Sequence, residues 1–344
     1  MMMKAQLLRS LADLAEQPEP LDFCEVEIPA PGPDEVLVRV SACGVCHTEL
    51  DEIEGRTPPP HLPVIPGHQV VGRVEQASQW VTALRPGDRV GVAWIFSACG
   101  ACPFCLRGLE NLCPRFKATG RDADGGYAEY MVVGESFAYP IPGSLTDIQA
   151  APLLCAGAIG YRSLHLAGIE NGQPLGLTGF GGSGHLVLKM VRHRYPDSPV
   201  AVFARSPVQR AFAMELGAAW AGDIGDTPPA PLRAIIDTTP AWKPLLAAME
   251  HLEPAGRLVI NAIRKESRDR DVLLQLDYPR HLWLEKEIKS VANVCRSDVR
   301  EFLQLAAEMD ITPEVETYAL AEANRALQEL KKGHIRGAKV LVME

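Results

Sequence analysis

Four cysteines crowd into "CGACPFCLRGLENLCP": Cys99, Cys102, Cys105 and Cys113. Steps of three, three and eight residues let four thiolates wrap one tetrahedral Zn2+ on a tight loop, with Gly100, Pro103 and Gly108 supplying the turns. Four sulfurs fill the coordination sphere, so such an ion is structural and leaves no place for a substrate. A loop of free thiols is the alternative. Other ligand types are scattered: Cys43, Cys46, His47 and Glu49 in "CGVCHTEL", His68 in "IPGHQVVG" and Cys155 in "LLCAG". Spacing alone does not say which of Cys43, Cys46, His47, His68 and Cys155 bind metal, and a buried, unliganded cysteine is the commonest alternative.

A third constellation, "GFGGSG", sets Gly179, Gly181 and Gly184 in G-x-G-x-x-G spacing, with Gly182 between them. It follows a strand pattern and opens a helical one, the context in which this spacing predicts a dinucleotide site. Gly179 permits the tight turn, Gly181 lets the backbone approach a pyrophosphate, and Gly184 allows close helix–strand packing. About twenty residues further on, an acid normally binds the ribose 2′-OH. Here "VAVFARS" puts Ala204 at that place, followed by Arg205 and Ser206. Without the carboxylate a 2′-phosphate is not repelled, and Arg205 can clamp one through paired N–H donors, with Arg210 a weaker second candidate. The expected cofactor is NADP(H) over NAD(H). The alternative is that Arg205 is a solvated surface charge.

These residues need elements to hold them. "EVLVRVSACGV", "VVGRVEQ" and "GDRVGVAW" read as strands broken by Pro and Gly between residues 35 and 92. Beyond about residue 150 strands alternate with helices, in "NGQPLGLTGFGGSGHLVLKMVRHRY" and "SPVAVFARSPVQRAFAMELGA". "LRAIIDTTP", "GRLVINAI" and "EIKSVAN" add buried strands, so βαβ units with a parallel sheet are expected. Helices near "SDVREFLQLAAEM" and "LAEANRALQELKKG" and the strand "AKVLVM" form a tail that could return to either part.

A chain of 344 residues exceeds one core of usual size, so two domains are expected. The net charge of -9, with no run of like charges, argues against nucleic acid or an anionic membrane as partner. "MMMKAQLLRSLADLAEQPEP" lacks the continuous apolar core of a signal peptide, and no stretch is apolar enough to span a bilayer. A cytoplasmic location is the expectation, and there nine cysteines serve as thiols or metal ligands rather than disulfides.

Taken in order, "CGVCHT", "PGHQVVG", the four-cysteine loop, "LLCAG" and "GFGGSGH" resemble the zinc-dependent medium-chain alcohol dehydrogenases, from about residue 5 to the end. The resemblance implies an α/β chain: a GroES-like β-rich catalytic domain over 1–153 and 290–344, carrying a structural-zinc lobe at 95–115. It implies a Rossmann cofactor domain with a doubly wound parallel sheet over 154–289. Cys46, His68 and Cys155 would ligate a catalytic zinc while Cys43 would not, making two Zn2+ per chain. Thr48 would take the alcohol proton, His47 would contact the cofactor pyrophosphate, and Glu49 would orient the liganding histidine. Cys24 and Cys295 match nothing in the family and read as packed thiols.

Three positions depart from the family. Glu49 replaces a usual aspartate. Asp51 stands where a histidine often completes the proton relay, so the last transfer passes weakly through it or through water. Gln69 replaces a glutamate near the metal, which predicts a more electrophilic zinc and a pH–rate profile that moves in Gln69→Glu. Trp94 matches a place where the family sets an aromatic against the substrate, and would favour small alcohols; a core tryptophan is the other reading. Whether Lys339 reaches the cofactor is left open. The implied activity is hydride exchange between a small alcohol or aldehyde and NADP(H), in a homodimer or homotetramer. Polyols or aromatic aldehydes are the alternative substrates. A non-catalytic binding protein is disfavoured, because Cys46, Thr48, His68, Cys155 and the glycine fingerprint are all present.

Overall fold

The computed structural model describes residues 1–333 and 337–343. It divides into two compact units, Met1–Cys155 with Val294–Glu344, and Ala156–Asn293. The first unit begins with an antiparallel pair that the sequence patterns did not suggest, β1 (Met2–Leu8) and β2 (Leu21–Glu27). β3 (Glu35–Val45) follows and leads through Cys46 into α1 (His47–Ile53). Then come β4 (Val70–Ala77), β5 (Arg89–Val92), β6 (Ile95–Ser97), β7 (Lys117–Ala118), β8 (Tyr130–Gly134), β9 (Ala138–Pro140) and α2 (Asp147–Pro152). β3 is the hub of the main sheet, antiparallel to both β4 and β8. Its Val36, Val38 and Val40 are buried, and each such side chain contributes about 2 kcal/mol by leaving water.

The second unit holds α3 (Ala158–Ala167), β10 (Leu175–Thr178), α4 (Gly182–Arg194), β11 (Val200–Phe203), α5 (Pro207–Glu215) and β12 (Trp220–Gly222). It continues with β13 (Leu232–Asp237), α6 (Lys243–Glu250), β14 (Leu252–Ile260), α7 (Tyr278–His281) and β15 (Glu287–Ser290). Six parallel strands lie in the order β12-β11-β10-β13-β14-β15. The order reverses between β10 and β13, which opens a crevice at their carboxyl ends. Phe203, Ile235 and Leu258 of the sheet pack with Leu245 and Met249 of α6. β15 departs from its expected burial: all four residues are exposed, because at this edge of the sheet helices among the described residues do not cover the faces to which its side chains point.

The tail contains α8 (Arg296–Glu308), β16 (Val315–Ala319), α9 (Ala323–Lys331) and β17 (Ala338–Val342). β17 pairs antiparallel with β3, setting Leu341 opposite Cys43, so the tail belongs to the first unit. α8 buries Val299, Phe302, Leu303 and Ala306, the i, i+3, i+4, i+7 stripe of a helix with one apolar face. Lys339 is buried, and its ammonium is committed to Glu316 and Glu329, each at 2.8 Å, and to the Tyr318 hydroxyl.

Candidate active site and metal centres

Three separate segments deliver Cys46, His68 and Cys155. Cys46 has extended backbone at the end of β3 and stands just before α1. His68 precedes β4, and Cys155 lies in a single π-helical turn, Leu153–Gly157, between α2 and α3. Such turns insert one residue into a helix and often mark functional sites. The three ligand atoms lie within 4.8 Å of one another, with 3.9 Å between the two sulfurs. Bonds of about 2.3 Å to sulfur at tetrahedral angles put ligand sulfurs about 3.8 Å apart, so the cluster fits Zn2+. His68 Nε2 is buried and has no hydrogen-bond partner among the described residues, while Nδ1 is 2.5 Å from Glu49 Oε1. Glu49 uses its other oxygen to accept the Cys46 N–H at 2.9 Å. One buried carboxylate therefore closes the first turn of α1 and aims the imidazole, and the longer glutamate side chain reaches both.

The donors favour positive charge between them. The Cys155 thiol holds Cys46 well below the usual thiol range, and Cys46 with burial pushes Cys155 well above it. Burial opposes charge on His68, yet the Glu49 carboxylate and the Cys46 sulfur raise its pKa well above that of an ordinary histidine. Cys43 is buried, with its thiol pushed up by burial, and does not join the cluster.

Around this centre, Thr48 Oγ1 lies 3.6 Å from Cys46 Sγ and His47 is exposed at the first position of α1. Asp51 is nearly buried and its carboxylate is held by Arg56, a partner that no motif announced. Gln69 is buried with its side chain against Gly44 of β3. Trp94 is half-buried, its ring centroid 5.4 Å from that of Phe116, and its indole N–H donates to Glu52 at 3.4 Å. Glu52 was not singled out from the sequence.

The four-cysteine lobe is a second cluster, with ligand atoms again within 4.8 Å. Cys105 Sγ is 3.6 Å from Cys102 Sγ and 3.9 Å from Cys99 Sγ. Gly100 and Gly108 both take φ of 70° at the expected turns. Backbone N–H groups of Cys99, Cys102, Cys105 and Arg115 donate to the sulfurs at 3.3–3.5 Å. The amide of Ala101, followed by the Arg115 side chain, holds the Cys99 thiol down to about 5. Amide donors stabilise thiolates, and four thiolates together fit a divalent cation. The lobe is tied to the tail by Cys295 Sγ donating to Asn111 Oδ1 at 2.9 Å and Arg296 Nε donating to Glu110 at 2.7 Å.

In the second unit the glycine fingerprint sits at the carboxyl end of β10. Gly179 has φ of 80°, and a Cβ there would lie 2.7 Å from Thr238 Oγ1. A Cβ on Gly184 would lie 2.8 Å from the Gly179 carbonyl oxygen, while one on Gly181 would meet nothing within 4 Å and one on Gly182 would only touch the Ala156 methyl at 3.7 Å. Gly181 is the N-cap of α4, and a helix N-terminus placed directly after a strand of a parallel sheet favours phosphate. Ala204 is buried just past β11, and Arg205 is exposed. No hydrogen bond or ion pair engages the Arg205 side chain among the described residues. Ser206 is the residue before α5. Arg210 differs: its Nη1 donates to the carbonyls of Ala204 at 2.8 Å and Arg205 at 3.2 Å, so it braces the turn. Asp237, at the end of β13, receives the Thr178 and Thr239 hydroxyls and pairs with Lys265, another cluster that the sequence motifs missed.

A β-rich unit with two clusters of metal-ligand type, in one chain with a parallel-sheet unit that bears a glycine-rich turn at the end of its first strand, is the arrangement of a GroES-like domain joined to a Rossmann-like domain. Residues 32–143 match the alcohol dehydrogenase GroES-like domain. A probable alcohol dehydrogenase of Mycobacterium tuberculosis is 43% identical over 94% of this chain and 93% of its own length. Among solved structures, a cinnamyl alcohol dehydrogenase from Sorghum bicolor is 28% identical with a TM-score of 0.82, covering 99% of this chain and 98% of that one. A cobalt- and zinc-bound thermostable alcohol dehydrogenase from Pyrobaculum aerophilum has a TM-score of 0.86 at 25% identity, covering 99% and 100%. The chain belongs to the zinc-type medium-chain alcohol dehydrogenase family. No helix among the described residues is long and apolar enough to cross a membrane.

Proposed function

We propose that the chain is an NADP(H)-preferring alcohol dehydrogenase or aldehyde reductase that holds two Zn2+ ions and acts on small primary or secondary alcohols and their carbonyl partners. The observation that carries this reading is the Cys46–His68–Cys155 cluster, with His68 Nε2 buried and unpaired at its centre. Three donors leave a fourth position for substrate, whereas the four sulfurs of the lobe leave none. A Zn2+ held there would supply Lewis acidity toward the substrate oxygen, and a nicotinamide would supply the hydride donor or acceptor.

The protein's own groups do the rest. Glu49 fixes which face His68 offers to the metal. Thr48 Oγ1 takes the alcohol proton, a step for which a positioned hydroxyl beside the cluster is suited. Asp51, paired with Arg56, is a poor terminus for that proton, so water carries it onward. His47, exposed at the start of α1, serves the pyrophosphate, and Trp94 closes one side of the substrate chamber. Gly179, Gly181, Gly182 and Gly184 cradle the pyrophosphate. Unpaired Arg205, beside an Ala204 that carries no carboxylate, takes the 2′-phosphate with help from Ser206, while Arg210 braces the turn.

Initial rates of aldehyde-dependent NADPH and NADH oxidation, side by side, test the reading. NADPH should be preferred, and Arg205→Ala should raise the KM for NADPH about 10- to 100-fold with little change for NADH, as loss of a charge-assisted contact predicts. A native preference for NADH overturns the ribose-site assignment. Zinc-loaded protein inactive with both cofactors overturns the enzyme.

A further inference from the structure

Glu52 is a buried acid in the site with too few partners. Its residue is 2% exposed, and it lies one helical turn beyond Thr48 and Glu49 on α1. Residues three and four apart share a helix face, so Glu52 lies on the face that presents Thr48 to Cys46 and Glu49 to His68. Its charge is felt by the same groups, Glu49 and His68, and by Arg121. Yet Arg121 spends its donors on Asp122 and the Thr57 carbonyl. The only hydrogen bond to the Glu52 carboxyl among the described residues comes from Trp94 Nε1, at a long 3.4 Å. The second oxygen has none.

Burying a carboxyl costs free energy unless its oxygens are bonded, so an acid kept here with one weak bond wants a partner that arrives with the ligand. Trp94 stands against Phe116 on one side of Glu52, and the cluster of Cys46, His68 and Cys155 stands beside its helix face. A ligand whose reacting hydroxyl sits at that cluster brings its neighbouring carbons toward Glu52. The geometry points to Glu52 as a specificity-determining residue that hydrogen-bonds a second hydroxyl of the substrate, so that small diols and hydroxyaldehydes are preferred over plain alcohols of equal length. The inference rests on the alcohol dehydrogenase reading above. A carboxyl offers an acceptor oxygen in either protonation state, and so does a glutamine amide.

The test compares 1,3-propanediol with 1-propanol on the zinc-loaded enzyme, in native protein, Glu52→Gln and Glu52→Leu. The quantity read is the kcat/KM ratio of diol to monoalcohol. It should fall about tenfold or more in Glu52→Leu, the value of one hydrogen bond to a buried acid, and stay within about threefold in Glu52→Gln. The diol Kd, from quenching of tryptophan emission without cofactor, should weaken in parallel. Zinc content and melting temperature establish that each variant is folded, and Glu52→Gln, nearly identical in shape, serves if Glu52→Leu does not fold: a ratio below a third of native in that variant would then count against the inference. Equal loss for diol and monoalcohol overturns it, leaving Glu52 as a prop for Trp94 and the alcohol dehydrogenase reading intact. No turnover of either alcohol overturns both.

Discussion

Cys99, Cys102, Cys105 and Cys113 gather within one loop, whereas Cys46, His68 and Cys155 come from the end of a strand, the approach to another and a π-helical turn. In the loop, backbone amides along the chain point at the sulfurs and local turns set their spacing. In the triad no ligand fixes another through the local chain; the sheet around β3 and the buried Glu49 carboxylate do so. A locally wrapped, four-sulfur cluster can only stabilise. A cluster assembled from distant segments, with one position left over, can bind and react.

The largest effect should separate these roles. His68→Ala should lower kcat/KM about a thousandfold, as loss of roughly 4 kcal/mol of Lewis-acid assistance implies, while metal analysis shows one zinc lost and one retained. The melting temperature should fall as well, because Glu49 is left buried without its His68 partner, so the zinc count and the rate, not the melting point, separate the roles. If the lobe's zinc leaves as well, the two clusters are not independent and the contrast fails.

Cys113→Ser should do the reverse. Structural zinc sites are worth about 10–16 kcal/mol of binding, and losing even ~4 kcal/mol shifts melting by ~10 °C in a unit of this size. Thermal denaturation should show that drop, and the protein still folded should keep its native kcat. A kcat that falls with the melting temperature would place the lobe in the chemistry.

Glu49→Gln sharpens the comparison further. The amide can still accept the Cys46 N–H, but the charge facing His68 is gone. Zinc affinity at the triad should weaken about 10- to 100-fold, read by chelator competition, with the lobe unchanged.

The same difference decided how much the sequence could tell. The lobe was legible from spacing because its geometry is local, and so was the fingerprint, since Gly179 and Gly184 sit where only a missing Cβ is tolerated. The triad was not: residue types left five candidates, and only the resemblance chose Cys46, His68 and Cys155 from them. Their proximity is a product of the sheet, which no short window contains. Nothing in the sequence marks Glu52, because acids at this spacing on a helix ordinarily form a solvated face. Lys265 pairs with Asp237 across 28 positions, and nothing local in either segment foretells it. β15 misled for the opposite reason. "EIKSVAN" continues a run of buried parallel strands, yet at the edge of the sheet, its faces not covered by helices among the described residues, it keeps its side chains exposed.

The finest distinction lies in the thiols of the metal-free protein. Cys99 is held down to about 5, first by the Ala101 amide and then by Arg115, so at pH 7 it is a thiolate. Cys105 is pushed up to about 12, by burial and then by the neighbouring Cys102, so it remains a thiol. The thiolate is the nucleophile, and alkylation by iodoacetamide should therefore reach Cys99 well before Cys105. Lowering the pH through about 5 should silence Cys99, because its proton returns there. In the triad the order is Cys46 before Cys155, one sulfur ionised largely by the hydrogen bond of the other. Peptide mapping after a short exposure at pH 7 reads all four sites in one sample. Equal labelling of Cys99 and Cys105 would mean that the amides do not organise the empty loop, and that the metal, rather than the chain, creates the lobe's geometry.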